Sequence, residues 1–321
     1  MPLLSIVRSL LLLRLSRRSA GPAGVRAAHT QKRTHPWGIA VGLIAFLSAT
    51  AGHAGEPLKV ATFNLRLNLA SDGADAWPHR KAHVLAMARY HGWDILGTQE
   101  GLPDQIADLE QLEGFTRVGV GRDDGASRGE HAAIFVRHTR FEVKRSGTFW
   151  LSETPERPSK GWDGRCCHRI ATWVELRDKQ APASAGSFYV FNTHFDHEGV
   201  VARRESARLL LSRWQALAGT APTLVIGDFN SSPGSEPVRL LEAALLNARD
   251  TTRTPPYGPE GTFQAFRIDA PLPAQERIDH IFHTPGIEVL QWGALTDSLR
   301  GRWPSDHLPV EVRVTLPDAP R

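Results

Sequence analysis

The chain has 321 residues, 41% hydrophobic and 22% charged, with two Cys; this globular composition excludes a disordered, collagenous or disulfide-stapled protein. The formal charge of +4 belongs to the N-terminus, because residues 1–51 hold seven of the 38 Lys and Arg (Arg8, Arg14, Arg17, Arg18, Arg26, Lys32, Arg33) and none of the 34 Asp and Glu. The remaining 31 bases and 34 acids give −3, which argues against a broad basic face for nucleic acid.

Residues 1–54 read as a leader. "QKRTHPWGIAVGLIAFLSATAGHAGE" has a basic start, an apolar stretch from Ile39 to Leu47 and small residues where a peptidase can cut, after Ala51 or Ala54. The apolar stretch is short for a membrane span, so no stable span is expected in the mature protein. The upstream run "LLSIVRSLLLLRL" is interrupted by Arg8. Export to the periplasm or the medium is the expected fate, with a retained N-terminal anchor as the alternative.

From Leu58 the pattern is regular. "LKVATFNLRL" reads as a strand, "RKAHVLAMARYHGW" as a helix with Val84, Met87, Ala88 and His91 on one face, and "DILGTQE" as a second strand. "HAAIFVR", "ATWVELR" and "SFYVFNTHF" are further strands. Helical "ARRESARLLLSRWQAL", the strand "PTLVIGDFN", helical "SEPVRLLEAALL" and the strands "RIDHIFH" and "LPVEVRVTL" complete the series. Many strands with few helices between them predict a mixed α/β domain with packed sheets, not a parallel βαβ series. No composition shift divides residues 55–321, so one domain, expected to act as a monomer, is assigned to them. Cys166 and Cys167 are neighbours, badly placed to bridge one another, and are expected to be plain thiols.

The apolar runs share a way of ending. Asn64 closes the first, Glu100 the second, His194 follows "FYVFNT", and Asp228 and Asn230 follow "TLVIG"; Asp279 sits in "RIDHI", and Asp306 and His307 open the last strand. Any one of these is explained by an Asx turn. Turn formation does not ask for the whole set, least of all for Glu100 and two His. Hard oxygen donors without Cys favour Mg²⁺, with Mn²⁺ or Ca²⁺ as alternatives. A zinc site on His194 and His197 of "HFDH" is the competing reading.

Taken in order, "FN", "QE", "TH", "GDFN", "RIDHI" and "SDH" resemble the endonuclease/exonuclease/phosphatase superfamily, which includes deoxyribonuclease I, abasic-site endonucleases, neutral sphingomyelinases, inositol polyphosphate 5-phosphatases and deadenylases. The resemblance runs from Val60 to Val314. It implies an α/β (α+β) fold, a four-layer αββα sandwich of two packed mixed β-sheets flanked by helices. It also implies Glu100 as the principal metal ligand with Asn64 beside it and Asp306 near the metal or water. Asp228 orients or deprotonates the attacking water, Asn230 holds a phosphate oxygen, and His307, oriented by Asp279, stabilises the phosphate or acts as an acid. "GEHAAIFVR" resembles the deoxyribonuclease I stretch that orients a second catalytic His, which pairs Glu130 with His194, and Arg169 in "HRIATW" is a candidate phosphate ligand. Where abasic-site endonucleases carry an acid two residues after the Asn, this chain has Arg66, so a second metal is unsupported. "DGADAWPHRK", "TFWLSETPE" and "THFDH" are closer to bacterial secreted members.

The leading expectation is a metal-dependent phosphodiesterase or nuclease. A phosphomonoesterase acting on a sugar phosphate, phosphoinositide or phospholipid head group is the alternative, and a non-catalytic binding module the alternative of another class. Trp150 and Trp162 are candidates to stack on a base, sugar or lipid group, and His79, Arg80 and Lys81 to approach phosphate.

Overall fold

The computed structural model describes residues 56–182 and 184–317; the expected leader lies outside them. Two six-stranded sheets pack face to face. The first contains β1 (Leu58–Asn64), β2 (Ile95–Gln99), β3 (Phe115–Val118), β4 (Ile134–Arg137), β11 (Glu288–Ala294) and β12 (Val310–Thr315), in the order β11-β12-β1-β2-β4-β3. The second contains β5 (Phe141–Trp150), β6 (Ile170–Asp178), β7 (Phe188–His194), β8 (Thr223–Asp228), β9 (Leu246–Asn247) and β10 (Asp279–His283), in the order β5-β6-β7-β8-β10-β9.

Successive strand residues face opposite ways, so each interior strand feeds two cores. Leu58 and Val60 of β1, Val190 of β7, Leu224 and Ile226 of β8 and Ile281 of β10 meet between the sheets. The alternate residues Ala61 and Phe63 turn outward onto α1 (Trp77–His91) and α2 (Pro103–Leu109). On the other side Tyr189, Phe191, Val225 and Phe282 pack under α3 (Val200–Ala218) and α4 (Glu236–Glu242), while the short α5 (Ala248–Thr251) follows β9. The expected four-layer αββα sandwich is thus the observed one. Pro78 starts α1, and Gly92, at φ 64°, ends it in a left-handed cap.

The inward series of three strands ends in polar groups. Above Val60 come Thr62 and Asn64; above Val190, Asn192 and His194; above Ile226, Asp228. Gln99 donates to Thr62 Oγ1 at 3.0 Å and to Asn192 Oδ1 at 2.6 Å, and Asn192 Nδ2 donates to the carbonyls of Thr98 and Ala133 at 2.9 Å each. These buried amides form a bonded polar layer between the apolar core and the rim.

Some expectations are corrected. Trp150 is not an exposed stacking platform; it ends β5, is buried with Ala132 and Ile170, and donates to the Arg122 carbonyl at 2.7 Å. Arg80 is not free to meet phosphate, because burial on α1 turns its guanidinium onto the carbonyls of Leu65 and Pro304. Lys81 pairs with Asp108 at 3.0 Å. Cys166 and Cys167 are joined in a disulfide, with Cα atoms 3.7 Å apart. Among the described residues no helix is long and apolar enough to cross a membrane.

Gly227, within β8 just before Asp228, has φ 148°, and a Cβ there would stand 2.1 Å from the Thr193 carbonyl oxygen of the paired strand. Backbone cannot yield as a side chain does, so Gly227→Ala should cost about 3 kcal/mol, the upper end of ordinary overpacking. Urea denaturation of the purified variant measures this.

Candidate active site

Strand register assembles the site. Across β7, β8 and β10, His194 pairs with Asp228 and Asp228 with Asp279, so an imidazole and two carboxylates lie in one row. In the facing sheet Asn64 stands beside Gln99, and Glu100 follows. Strict alternation would turn Glu100 away from the gap. Its left-handed backbone, φ 63°, breaks the alternation, and its carboxylate accepts from Asn64 Nδ2 at 3.0 Å and Leu67 N–H at 3.0 Å. Asn230, φ 45°, follows Asp228 in the same strained region, the kind of backbone that concentrates at functional sites.

The two rows meet at one hydrogen bond, from Asn64 Nδ2 to Asp228 Oδ2 at 2.9 Å. Asn64 Oδ1 accepts from the Arg66 N–H, so the amide presents its nitrogen, not its oxygen, to both carboxylates. Asn230 closes a turn onto Asp228 Oδ1 at 2.8 Å through its N–H and anchors its side-chain nitrogen on the Phe195 carbonyl at 3.0 Å. Asp306 and His307 come from the loop before β12. That loop is tied to β1 by Ser305 Oγ donating to the Asn64 carbonyl at 2.6 Å.

His307 Nδ1 donates to Asp279 Oδ2 at 2.8 Å, and Thr262 Oγ1 donates to the same oxygen at 2.6 Å. Burial by itself would lower the His307 pKa; the carboxylates of Asp279, Asp228 and Asp306 outweigh it and hold the imidazolium well above its usual range. His307 Nε2 lies 3.9 Å from Asp228. Burial, reinforced by Asp279, pushes Asp228 up to about 7, and burial raises Asp306. His194 behaves oppositely. Burial and then the Arg169 cation hold it well below its usual value, so it is a neutral imidazole.

Arg169 enters just before β6. Its Nη1 lies 2.9 Å from both ring nitrogens of His194, and Nη2 donates to His197 Nδ1 at 2.7 Å. The nearest acid, Asp196, is 3.8 Å from Nε, which has no hydrogen-bond partner. Its charge therefore faces two imidazole rings and is only weakly compensated. Glu130 lies at the same rim, but the expected His194 pairing is long at 3.9 Å; the carboxylate accepts instead from Arg122 at 2.6 Å, and burial raises its pKa. Glu100, Arg122, Glu130, His168, Arg169 and His194 line one small pocket at the rim.

All ten residues singled out from the sequence thus reach one rim. Arg122, His168 and Thr262 are additions, and none stands at the end of an apolar strand, the signal that found the others. The donor set suits a hard divalent cation. Glu100, His194 and Asp228 each bring a ligand atom within 4.8 Å of the others, as do Asp228, Asp279 and His307. The buried Asp279 Oδ1 lacks any hydrogen-bond partner. An amide N–H₂ between Glu100 and Asp228 is a weak counterpart for two carboxylates, and a cation is the stronger one.

No curated protein matches the chain. Among solved structures it resembles an endonuclease/exonuclease/phosphatase family protein from Bacteroides thetaiotaomicron, 39% identical over 82% of this chain and 98% of that one, with a TM-score of 0.76. It also resembles a mannosyl-6-phosphatase of the same organism, 39% identical over 80% and 99% of the two chains, TM-score 0.74. The D. rerio TDP2 solved with a single-strand DNA product is 15% identical over 80% and 98%, TM-score 0.62, a likeness of fold alone. Residues 61–307 match the Endonuclease/Exonuclease/phosphatase family, a span that includes every rim residue from Asn64 to His307, and the chain belongs to this family of metal-dependent phosphoric ester hydrolases.

Proposed function

We propose that this protein is a phosphomonoesterase acting on a sugar phosphate. The observation that carries the reading is the small pocket in which weakly compensated Arg169, with Arg122, His168 and His194, stands beside Glu100. Such positive charge beside the metal-ligand candidate suits the dianionic phosphoryl group of a monoester. The 39% identity to a mannosyl-6-phosphatase over nearly the whole of both domains supports it. The phosphodiesterase or nuclease reading remains second, favoured by two imidazoles flanking Asp228, with His194 at 3.4 Å and His307 at 3.9 Å. Export of the mature enzyme is part of the proposal.

Glu100 would hold the cation, most simply Mg²⁺, with Asn64 beside it and Asp306 near. When bound it neutralises charge on the phosphoryl oxygens and makes water a better nucleophile. Asp228, with a pKa raised toward neutrality, orients the attacking water and takes its proton. Asn230 has one side-chain N–H left beyond the Phe195 carbonyl and offers it to a phosphoryl oxygen. His307, kept protonated and aimed by Asp279, sets positive charge against the oxygens in the transition state. Arg169 binds the phosphate before and during reaction.

Turnover of p-nitrophenyl phosphate, mannose 6-phosphate, bis(p-nitrophenyl) phosphate and single-stranded DNA should rank the monoesters first, with EDTA abolishing activity and Mg²⁺ restoring it. A preference for the diester or for DNA would transfer the assignment to the second reading.

His307→Ala should lower kcat about 10³-fold and Asp279→Asn about 10²-fold, with the fold retained by circular dichroism. The asparagine cannot stabilise the imidazolium. The His307 pKa then falls, and the alkaline limb of the pH–rate profile moves to lower pH.

Cation binding beside Asp228 must displace the proton that this carboxyl carries below about 7. Apparent Mg²⁺ or Mn²⁺ affinity should therefore weaken by about tenfold per pH unit below that point and level off above it. Calorimetric titration in buffers of different ionisation enthalpy reads both the affinity and the released proton.

A further inference from the structure

The loop between β5 and β6 carries the bridged Cys166 and Cys167, and their sulfur atoms lie beside His197 from the loop after β7. One donor atom from each of the three side chains lies within 4.8 Å of the others. A disulfide between adjacent residues closes almost no chain, so it removes almost no freedom from the unfolded state and stabilises little. Its value to the molecule is chemical. Cys166 and His197 are exposed and Cys167 half-buried, which leaves the group open to solvent. Two sulfurs and an imidazole make a soft donor set, unlike the carboxylates of the main site.

We propose that the dithiol form of this pair, together with His197, binds a thiophilic divalent cation of the Zn²⁺ type, and that the disulfide is the form that excludes it. A dithiol reductant passes two electrons and two protons to the S–S bond and becomes a disulfide itself; the two thiols then release two protons as their thiolates take the cation. Zn–S bonds of about 2.3 Å at a tetrahedral angle need sulfurs about 3.8 Å apart, a separation that side-chain rotation supplies once the bridge is open. Water completes the fourth position. An imidazole that ligates a cation has one ring lone pair to give, and Arg169 Nη2 now donates to that of His197. The cation must take that lone pair, so loading frees an N–H of Arg169 beside His194 and links the soft site to the phosphate pocket.

The full chain, either oxidised or reduced with dithiothreitol and desalted without oxygen, is titrated with Zn²⁺ against a chromogenic chelator in saturating Mg²⁺. The reduced protein should take up one equivalent that the oxidised protein does not. His197→Ala and Cys167→Ser should each weaken this uptake about tenfold or more. Co²⁺ in place of Zn²⁺ should give a thiolate charge-transfer band in the reduced and not in the oxidised protein, and reduced Glu100→Ala should keep that band. Equal uptake by oxidised and reduced protein, uptake unchanged in His197→Ala, or no band with Co²⁺ would each overturn the proposal.

Discussion

The hydrogen bond from Asn64 to Asp228 joins the catalytic ends of the two sheets directly, and its position follows from packing far below it. Two sheets stacked face to face must fill the space between them with the inward half of every strand. Apolar residues do this in the lower layers. One step up, Thr62, Gln99 and Asn192 replace them: Gln99 holds Thr62 within its own sheet, and Asn192 bonds across the gap to Gln99 and to the carbonyls of Thr98 and Ala133. Each of those bonds is buried, so a shift of one sheet against the other would leave amides unsatisfied at a cost of about 1–3 kcal/mol apiece. The polar layer thereby fixes the relative height of Asn64, His194 and Asp228.

What that register produces at the rim is electrostatic crowding. Asp228, Asp279, Asp306 and Glu100 are gathered with little water and few counter-charges, and the structure answers in two ways. Near Asp279 the answer is a protonated imidazole, held by a short bond and backed by Thr262. Near Glu100 it is an amide nitrogen and a backbone N–H, neither of them charged. The carboxylates facing that amide are the ones a divalent cation would satisfy, while the imidazolium is held on Asp279. Such a cation and the imidazolium would both set positive charge against phosphoryl oxygens as they gain charge.

Eight strands are legible in the sequence, and they are the eight interior ones. The four that are not, β3, β5, β9 and β11, are the edges of the two sheets. An interior strand is paired on both sides and covered on both faces, so it appears as an unbroken apolar run. An edge strand carries charges such as Lys144 and Arg145 that discourage further pairing, or is as short as β9, and its pattern dissolves into loop. The site was legible for the same reason the interior strands were: its residues terminate apolar runs. Arg122 and Thr262 lie in irregular segments where sequence carries no periodicity, and the burial of Arg80 depends on carbonyls at Leu65 and Pro304, one of them more than 200 positions away. Nothing local distinguishes it from a solvated helix start.

Substrate selection falls to the side of the rim where local pattern says least. The chemistry at Asp228 treats a monoester and a diester alike, since both present a phosphorus to an in-line water. The difference lies in the second substituent, which a diester must lead out of the site. Arg169 and the Arg122–Glu130 ion pair line this side of the rim, and the buried Trp150 donates to the Arg122 carbonyl. Loops that narrow such a side favour a monoester, and loops that leave it open admit a diester's second arm. Discrimination of this kind needs no new catalytic group, only a change in the loops around Arg122 and Arg169, which is how one sandwich can serve both phosphatases and nucleases.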